Sequence, residues 1–253
     1  MVALPHLRCG RAAQYRRARQ EAADLQSGGA DRDLQIADRH VHRSLHLGGA
    51  ARFPLPDVVL TVGAVSAFGK IAALGDFVRI GAPSGFTDRW DRWLQQTMIA
   101  ARTACGADWQ RCYLSAPIWR FVLAPGLAGA QGVAGVMMPS VDRVGRQFPL
   151  ALFAILPKDV PTPADAWFAR LEDVALATLD DAATRDTLMA ALDDLAPPPG
   201  AAATPASGQS HWTAHCDGII QRFQFAGWPP PDAAADFFDP ARWPGAIPQE
   251  ARA

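Results

Sequence analysis

This chain is poor in several features that usually announce a function. Its 253 residues include four cysteines and two tyrosines, and its formal net charge is −1. Cys9, Cys105, Cys112 and Cys216 form neither a C-x-x-C pair nor a dense framework, which predicts reduced thiols in a cytosolic compartment. The balanced charge argues against nucleic acid as a partner, because neutralising phosphates requires a cationic footprint. No apolar run reaches the roughly eighteen residues needed to cross a bilayer, so no membrane span is expected. Familiar catalytic signatures are missing as well. There is no G-x-S-x-G nucleophile elbow and no G-x-G-x-x-G dinucleotide fingerprint. Gly63 to Lys70 resembles a phosphate loop, but five residues separate Gly63 from Gly69 where four are needed, and Ile71 replaces the magnesium-binding Ser or Thr. His211 and His215 stand four apart with Cys216 adjacent, yet the intervening Glu of a zinc-protease helix is absent, so no metal or cofactor is assigned.

The near-neutral total conceals two unlike parts. Residues 1–57 carry nine arginines against six acids, a charge of +3, which leaves fifteen bases against nineteen acids, or −4, for the remainder. All eight tryptophans lie in the second part, and Tyr15 and Phe53 are the only aromatic residues in the first. Without aromatic anchors, and interrupted by Gly28-Gly29 and Gly48-Gly49, residues 1–57 cannot bury enough apolar area to offset chain entropy. They are expected to form a disordered leader, with a marginal helix from about Ala12 to Leu25. The same composition fits a leader translated from too early a start, with Val58, Val59 or Leu60 as a non-ATG start.

Beyond residue 57, apolar patterning predicts alternating strands and helices. Val58 to Val65 reads as a strand ending near Gly69-Lys70, and Ile118 to Leu123, Val133 to Met138 and Phe148 to Leu156 read as core strands. Trp90, Trp93, Leu94, Thr97, Met98, Ala101 and Cys105 recur at helical spacing, which predicts a helix from Asp88 to Cys105 capped by Thr87 or Asp88. Thr162-Pro163-Ala164-Asp165 marks a second helix start, and Thr184 to Leu195 a third helix. Residues 197–210, beginning Pro197-Pro198-Pro199-Gly200, read as a linker. In residues 211–253, Asp217-Gly218 predicts a hairpin with a type I′ turn, followed by a peripheral wrap. The order of elements suggests an α/β layered domain over residues 58–196.

The most charged loop of this region, Pro139-Ser140-Val141-Asp142-Arg143-Val144-Gly145-Arg146, lies between two apolar strands, and Asp76 and Arg79 are candidate partners for it. Two readings follow for Asp76, Arg79, Asp142, Arg143 and Arg146. They form an internal ion-pair network, since buried charge is costly when unpaired, or they form a recognition surface whose Arg forks read a carboxylate or phosphate. A third reading is a small hydrolase or phosphatase-like enzyme acting on phosphate esters through these groups. It requires Asp76 or Asp142 to meet a metal or an activated nucleophile.

Four stretches in register carry a resemblance. Phe68-Gly69-Lys70 with Leu74-Gly75-Asp76-Phe77-Val78-Arg79, Trp90-Asp91-Arg92-Trp93-Leu94-Gln95-Gln96, Ala116-Pro117-Ile118-Trp119-Arg120-Phe121, and Met138 to Arg146 before Phe148-Pro149-Leu150 together resemble the TagF family, associated with type VI secretion. The resemblance runs from about Leu60 to Leu195, and weakly to the Trp212 region. Two features depart from the family pattern: the long leader, and the Val65-Ser66-Ala67 step before Phe68, which bears on the register of the first strand. The resemblance implies a three-layer α/β sandwich with a central mixed sheet and no catalytic residues or cofactor. It also implies a cytoplasmic, non-enzymatic repressor of secretion-system assembly or firing, acting after translation by binding a forkhead-associated scaffold protein.

Overall fold

The structure is a computed structural model that describes residues 63–156, 162–198, 200–202 and 206–244. The expected leader over residues 1–57, its helix and the start of the first predicted strand lie outside the described residues. The described chain begins its regular structure with strand β1 (Val65–Gly69) and edge strand β2 (Val78–Ile80). Helix α1 (Ser84–Cys105) follows, then a 3-10 turn and α2 (Trp109–Ser115). Strands β3 (Trp119–Leu123), β4 (Val133–Met138) and β5 (Leu150–Ile155) form a meander. After it come the short β6 (Thr162–Pro163), α3 (Asp165–Ala177), α4 (Arg185–Asp193) and β7 (Gly200–Ala202), which pairs with β6 as a separate ribbon. The hairpin β8 (Gln209–Cys216) and β9 (Ile219–Ala226) and the helix α5 (Ala234–Phe238) complete the described chain.

Seven strands form one sheet in the order β2-β1-β5-β4-β3-β8-β9, and every ladder in it is antiparallel. The expectation of a mixed sheet is therefore corrected. Alternating strands and helices suggested parallel neighbours, and the α1–α2 connection does return β3 in the same direction as β2. It lands four places along the sheet, however, and β1, β5 and β4 fill the gap with antiparallel pairs.

Strand alternation divides the buried side chains into two clusters. Trp119, Phe121, Phe153 and Trp212 pack with Trp90 and Trp93 of α1, Tyr113 of α2 and Phe237 and Phe238 of α5. Val122, Val136, Leu150 and Leu152 pack with Trp167, Phe168 and Leu171 of α3 and Leu188 and Leu192 of α4. Burying such rings at ~25 cal/mol per Å², with 150–250 Å² each, makes every large aromatic a major contributor.

Helix α1 begins at Ser84 rather than Asp88, after Pro83 in an extended conformation. Thr87 does not cap it; its hydroxyl donates to the Ser84 carbonyl at 3.1 Å from inside the first turn. Thr184 does cap α4, in a reciprocal arrangement with Thr187. Beyond residue 210 the chain is tied to the elements before it. Strand β8 pairs with β3 along its length, and the indole N–H groups of Trp93 and Trp119 donate to the carbonyls of Pro229 and Phe237 at 3.1 and 2.9 Å. Cys105 and Cys112 are free thiols as expected, whereas Cys216 is disulfide-bonded.

Candidate partner-binding surface

Two loops at the β1–β2–β5 end of the sheet carry the charged residues singled out from sequence. The first runs from Lys70 to Phe77 between β1 and β2; the second runs from Pro139 to Pro149 between β4 and β5. Gly69 lets them meet. A Cβ there would lie 2.3 Å from the Pro149 carbonyl oxygen, so only glycine permits this approach of the chains.

Asp142 joins the loops. Its side chain is fully buried; Oδ2 accepts from Lys70 Nζ at 2.8 Å and from Arg146 Nε at 2.7 Å. Oδ1 accepts from the backbone N–H groups of Val144 at 3.0 Å and Arg146 at 2.9 Å. Burial by itself would raise this carboxyl, but the Lys70 ammonium and the Arg146 donors outweigh it and hold Asp142 below the usual carboxylate range. The same burial pulls the Lys70 ammonium below the ordinary lysine range, against the pull of Asp142. Arg146 Nη2 also donates to the Gly75 carbonyl, and the Arg143 N–H donates to Leu74 at 2.9 Å. The Gly-Lys step that suggested a phosphate loop is thus occupied by an internal ion pair.

The five residues grouped from sequence therefore divide. Asp142 lies inside, and Arg146 lies partly outside with its Nε and Nη2 engaged. Asp76, Arg79 and Arg143 are exposed. Asp76 accepts from the Phe77 N–H at 2.7 Å, and Arg79 Nε donates to the Ala82 carbonyl at 2.9 Å. Arg143 has no ion pair among the described residues.

Two apolar residues that sequence reasoning passed over stand among these charges. Phe77 is 44% exposed and Val144 60%. Phe77 is the outermost of three rings, edge-on to Phe148 at 4.8 Å and stacked on Phe68 at 5.8 Å, with Lys70 Nζ 5.4 Å from its centroid. The available signal was an apolar residue between Asp76 and Arg79 in a stretch with no periodicity. The arrangement offers an aromatic anchor held from below, a second apolar contact and an arginine rim, which is the composition of a protein-binding hot spot.

Another charged group was missed. Arg120, in central strand β3, donates from Nε to Glu172 at 2.6 Å and approaches Asp165 at 3.2 Å, both on α3. Among the described residues no group of three His, Cys, Asp or Glu side chains is placed to hold a metal ion, and no helix is long and apolar enough to cross a membrane.

Comparison with known proteins gives these features a context. Residues 66–195 match the TagF N-terminal domain, type VI secretion system-associated. The crystal structure of PA0076 from Pseudomonas aeruginosa PAO1, at 2.05 Å resolution, is similar with a TM-score of 0.64 and 35% sequence identity, over 73% of this chain and 97% of that one. No curated protein matches the chain. With a family match over half its length and a solved relative of this similarity, the chain belongs to the TagF N-terminal domain family associated with type VI secretion.

Proposed function

We propose that this protein is a non-enzymatic cytoplasmic regulator that represses type VI secretion after translation, by docking on a forkhead-associated scaffold component through the Phe77–Val144 surface. The observation that carries the reading is the division of the charged cluster. Asp142 spends its hydrogen-bonding capacity inside the protein, while Phe77, Arg79, Arg143 and Val144 face outward. The resemblance that named the family supplies the partner. The three-layer description belongs to the same reading, with α1, α2 and α5 on one side of the sheet and α3 and α4 on the other.

The hydrolase alternative needs a carboxylate free to meet a metal or nucleophile. Asp142 is saturated by Lys70, Arg146 and two backbone donors, and Asp76 is engaged with its own loop, which weighs against that chemistry. Docking is tested by Arg143→Glu and Phe77→Ala. Arg143 is exposed and without an ion pair among the described residues, so Arg143→Glu should change stability by no more than an ordinary surface substitution, about 0.5 kcal/mol. Phe77→Ala gives up ring contacts with Phe68 and Phe148, so a somewhat lower melting temperature with a cooperative transition is expected of it. Capture of the scaffold protein should weaken by about thirtyfold or more, as for a hot spot of ~2 kcal/mol. Unchanged capture by both folded variants would remove this surface from the reading.

A further inference from the structure

The two edges of the sheet differ. Strand β2 has three residues, too few to template another chain, whereas β9 has eight and pairs only with β8 among the described residues. Natural edge strands are usually guarded by a bulge, a proline, charged side chains or a covering segment, because an unpaired row of N–H and C=O groups recruits other strands. Ile219-Ile220-Gln221-Arg222-Phe223-Gln224-Phe225-Ala226 has no proline and a single charge, Arg222, and its register with β8 is unbroken from Gln209↔Ala226 to Cys216↔Ile219.

The turn fixes which backbone groups are free. Asp217 and Gly218 have φ of 51° and 82°, the type I′ pattern, so Cys216 and Ile219 form a hydrogen-bonded pair. Stepping by two, Gln221, Phe223 and Phe225 also bond to β8, and the N–H and C=O groups of Ile220, Arg222 and Gln224 point away from it. The side chains divide in the same way. Phe223 and Phe225 pack against the aromatic cluster with Phe237, while Ile220, Arg222 and Gln224 are exposed on the opposite face. On that face α3 and α4 pack over β4, β5 and β1.

We infer that β9 is a strand-addition site for an extended segment of a partner protein, apolar on one face and acidic on the other. An added strand continues both faces of the sheet. Its apolar residues extend the Phe223–Phe225 row, and its acid lies beside Arg222, the only charged side chain of β9, which has no ion pair among the described residues. A second copy is the poorer occupant, because β9 carries no acid and Arg222 would meet only neutral side chains or its own counterpart. The site lies at the opposite end of the sheet from β2 and the Phe77 loop, so the two surfaces can be tested separately.

The test titrates the full chain with a fluorescent peptide of about eight residues alternating valine and glutamate, and with its valine–lysine counterpart. Saturable binding of the glutamate peptide is expected. Gln224→Pro removes an outward donor without removing a bond to β8, and Arg222→Glu reverses the charge. Each should weaken binding at least about tenfold, with Arg222→Glu now preferring the lysine peptide. Ile99→Asp, at an exposed position of α1, should bind as the unaltered chain does. Absence of saturable binding, or binding of the glutamate peptide by the Gln224→Pro and Arg222→Glu variants as tight as by the unaltered chain, would overturn the inference. So would a concentration-dependent dimer that Gln224→Pro abolishes, in a chain that ignores the peptide.

Discussion

Asp142 illustrates how one buried side chain can organise a surface it does not belong to. Its four donors come from Lys70, Val144 and Arg146, so it fixes both loops beneath Phe77 and Arg143. Asp142→Ala leaves Lys70 buried without its counter-charge, and breaking a buried pair in this way costs about 3–5 kcal/mol. A urea titration at neutral pH should show that loss, and partner capture should fall with it. The pH dependence has a definite sign. A carboxyl held below its unfolded value, about 3.9, contributes fully above that pH and loses its contribution as pH falls through the folded value. The stability gap between the unaltered chain and Asp142→Asn should therefore be constant from neutral pH down to about 5 and close in stronger acid. A gap that widened there would contradict the assignment. The thiols give a second residue-scale prediction. Burial, with contact to Cys105, pushes the Cys112 thiol up to about 12. Native alkylation near pH 8, read by mass spectrometry, should therefore modify half-buried Cys105 well before Cys112.

Elements with strong periodicity were legible in the sequence. The tryptophan stripe predicted α1, with Trp90, Trp93, Leu94, Thr97 and Ala101 buried as expected, and three apolar runs predicted β3, β4 and β5. The Asp217-Gly218 hairpin was legible because its turn chemistry is local: both residues have positive φ. Gly218→Val forces a β-branched side chain into that region, and should cost about 1–2 kcal/mol of stability by thermal unfolding. Short elements were not legible. Helix α2 has seven residues and α5 five, below the length at which periodicity can be distinguished, and both depend on tertiary bonds. Tyr113 Oη donates to the Ser140 carbonyl at 2.7 Å from α2, and Trp119 donates to Phe237 of α5. The candidate surface was half legible. Charge in an apolar context pointed to Asp76, Arg79, Asp142, Arg143 and Arg146, but their division into inside and outside depends on how two loops 70 residues apart meet. Strand parity was also beyond local pattern, since it depends on where β3 re-enters the sheet.

At the scale of the molecule, the segment after β9 closes the aromatic side of the sheet. Phe237 and Phe238 are fully buried, and Trp243 is nearly so. Phe237 packs against Trp119 at 4.6 Å, Trp212 at 5.1 Å and Phe223 at 5.5 Å, so it touches β3, β8 and β9 together. Ending the chain after Ala226 would leave all seven strands but strip this cover and remove the acceptors of the Trp93 and Trp119 indoles. A buried donor left without a partner costs about 1–3 kcal/mol, and each buried phenylalanine side chain lost adds about 3–5 kcal/mol. These sums approach the whole stability of an ordinary domain, about 5–15 kcal/mol. The shortened chain is therefore expected to lose its cooperative melting transition and to bind a hydrophobic dye such as ANS. The milder Phe237→Leu keeps an apolar side chain and the backbone acceptor, so it should retain cooperative unfolding at a lower midpoint. Cooperative unfolding of the shortened chain at the original midpoint would mean that the sheet and α1 are stable without this cover. In that case the seven strands, and not the closed aromatic cluster, would set the stability of the fold.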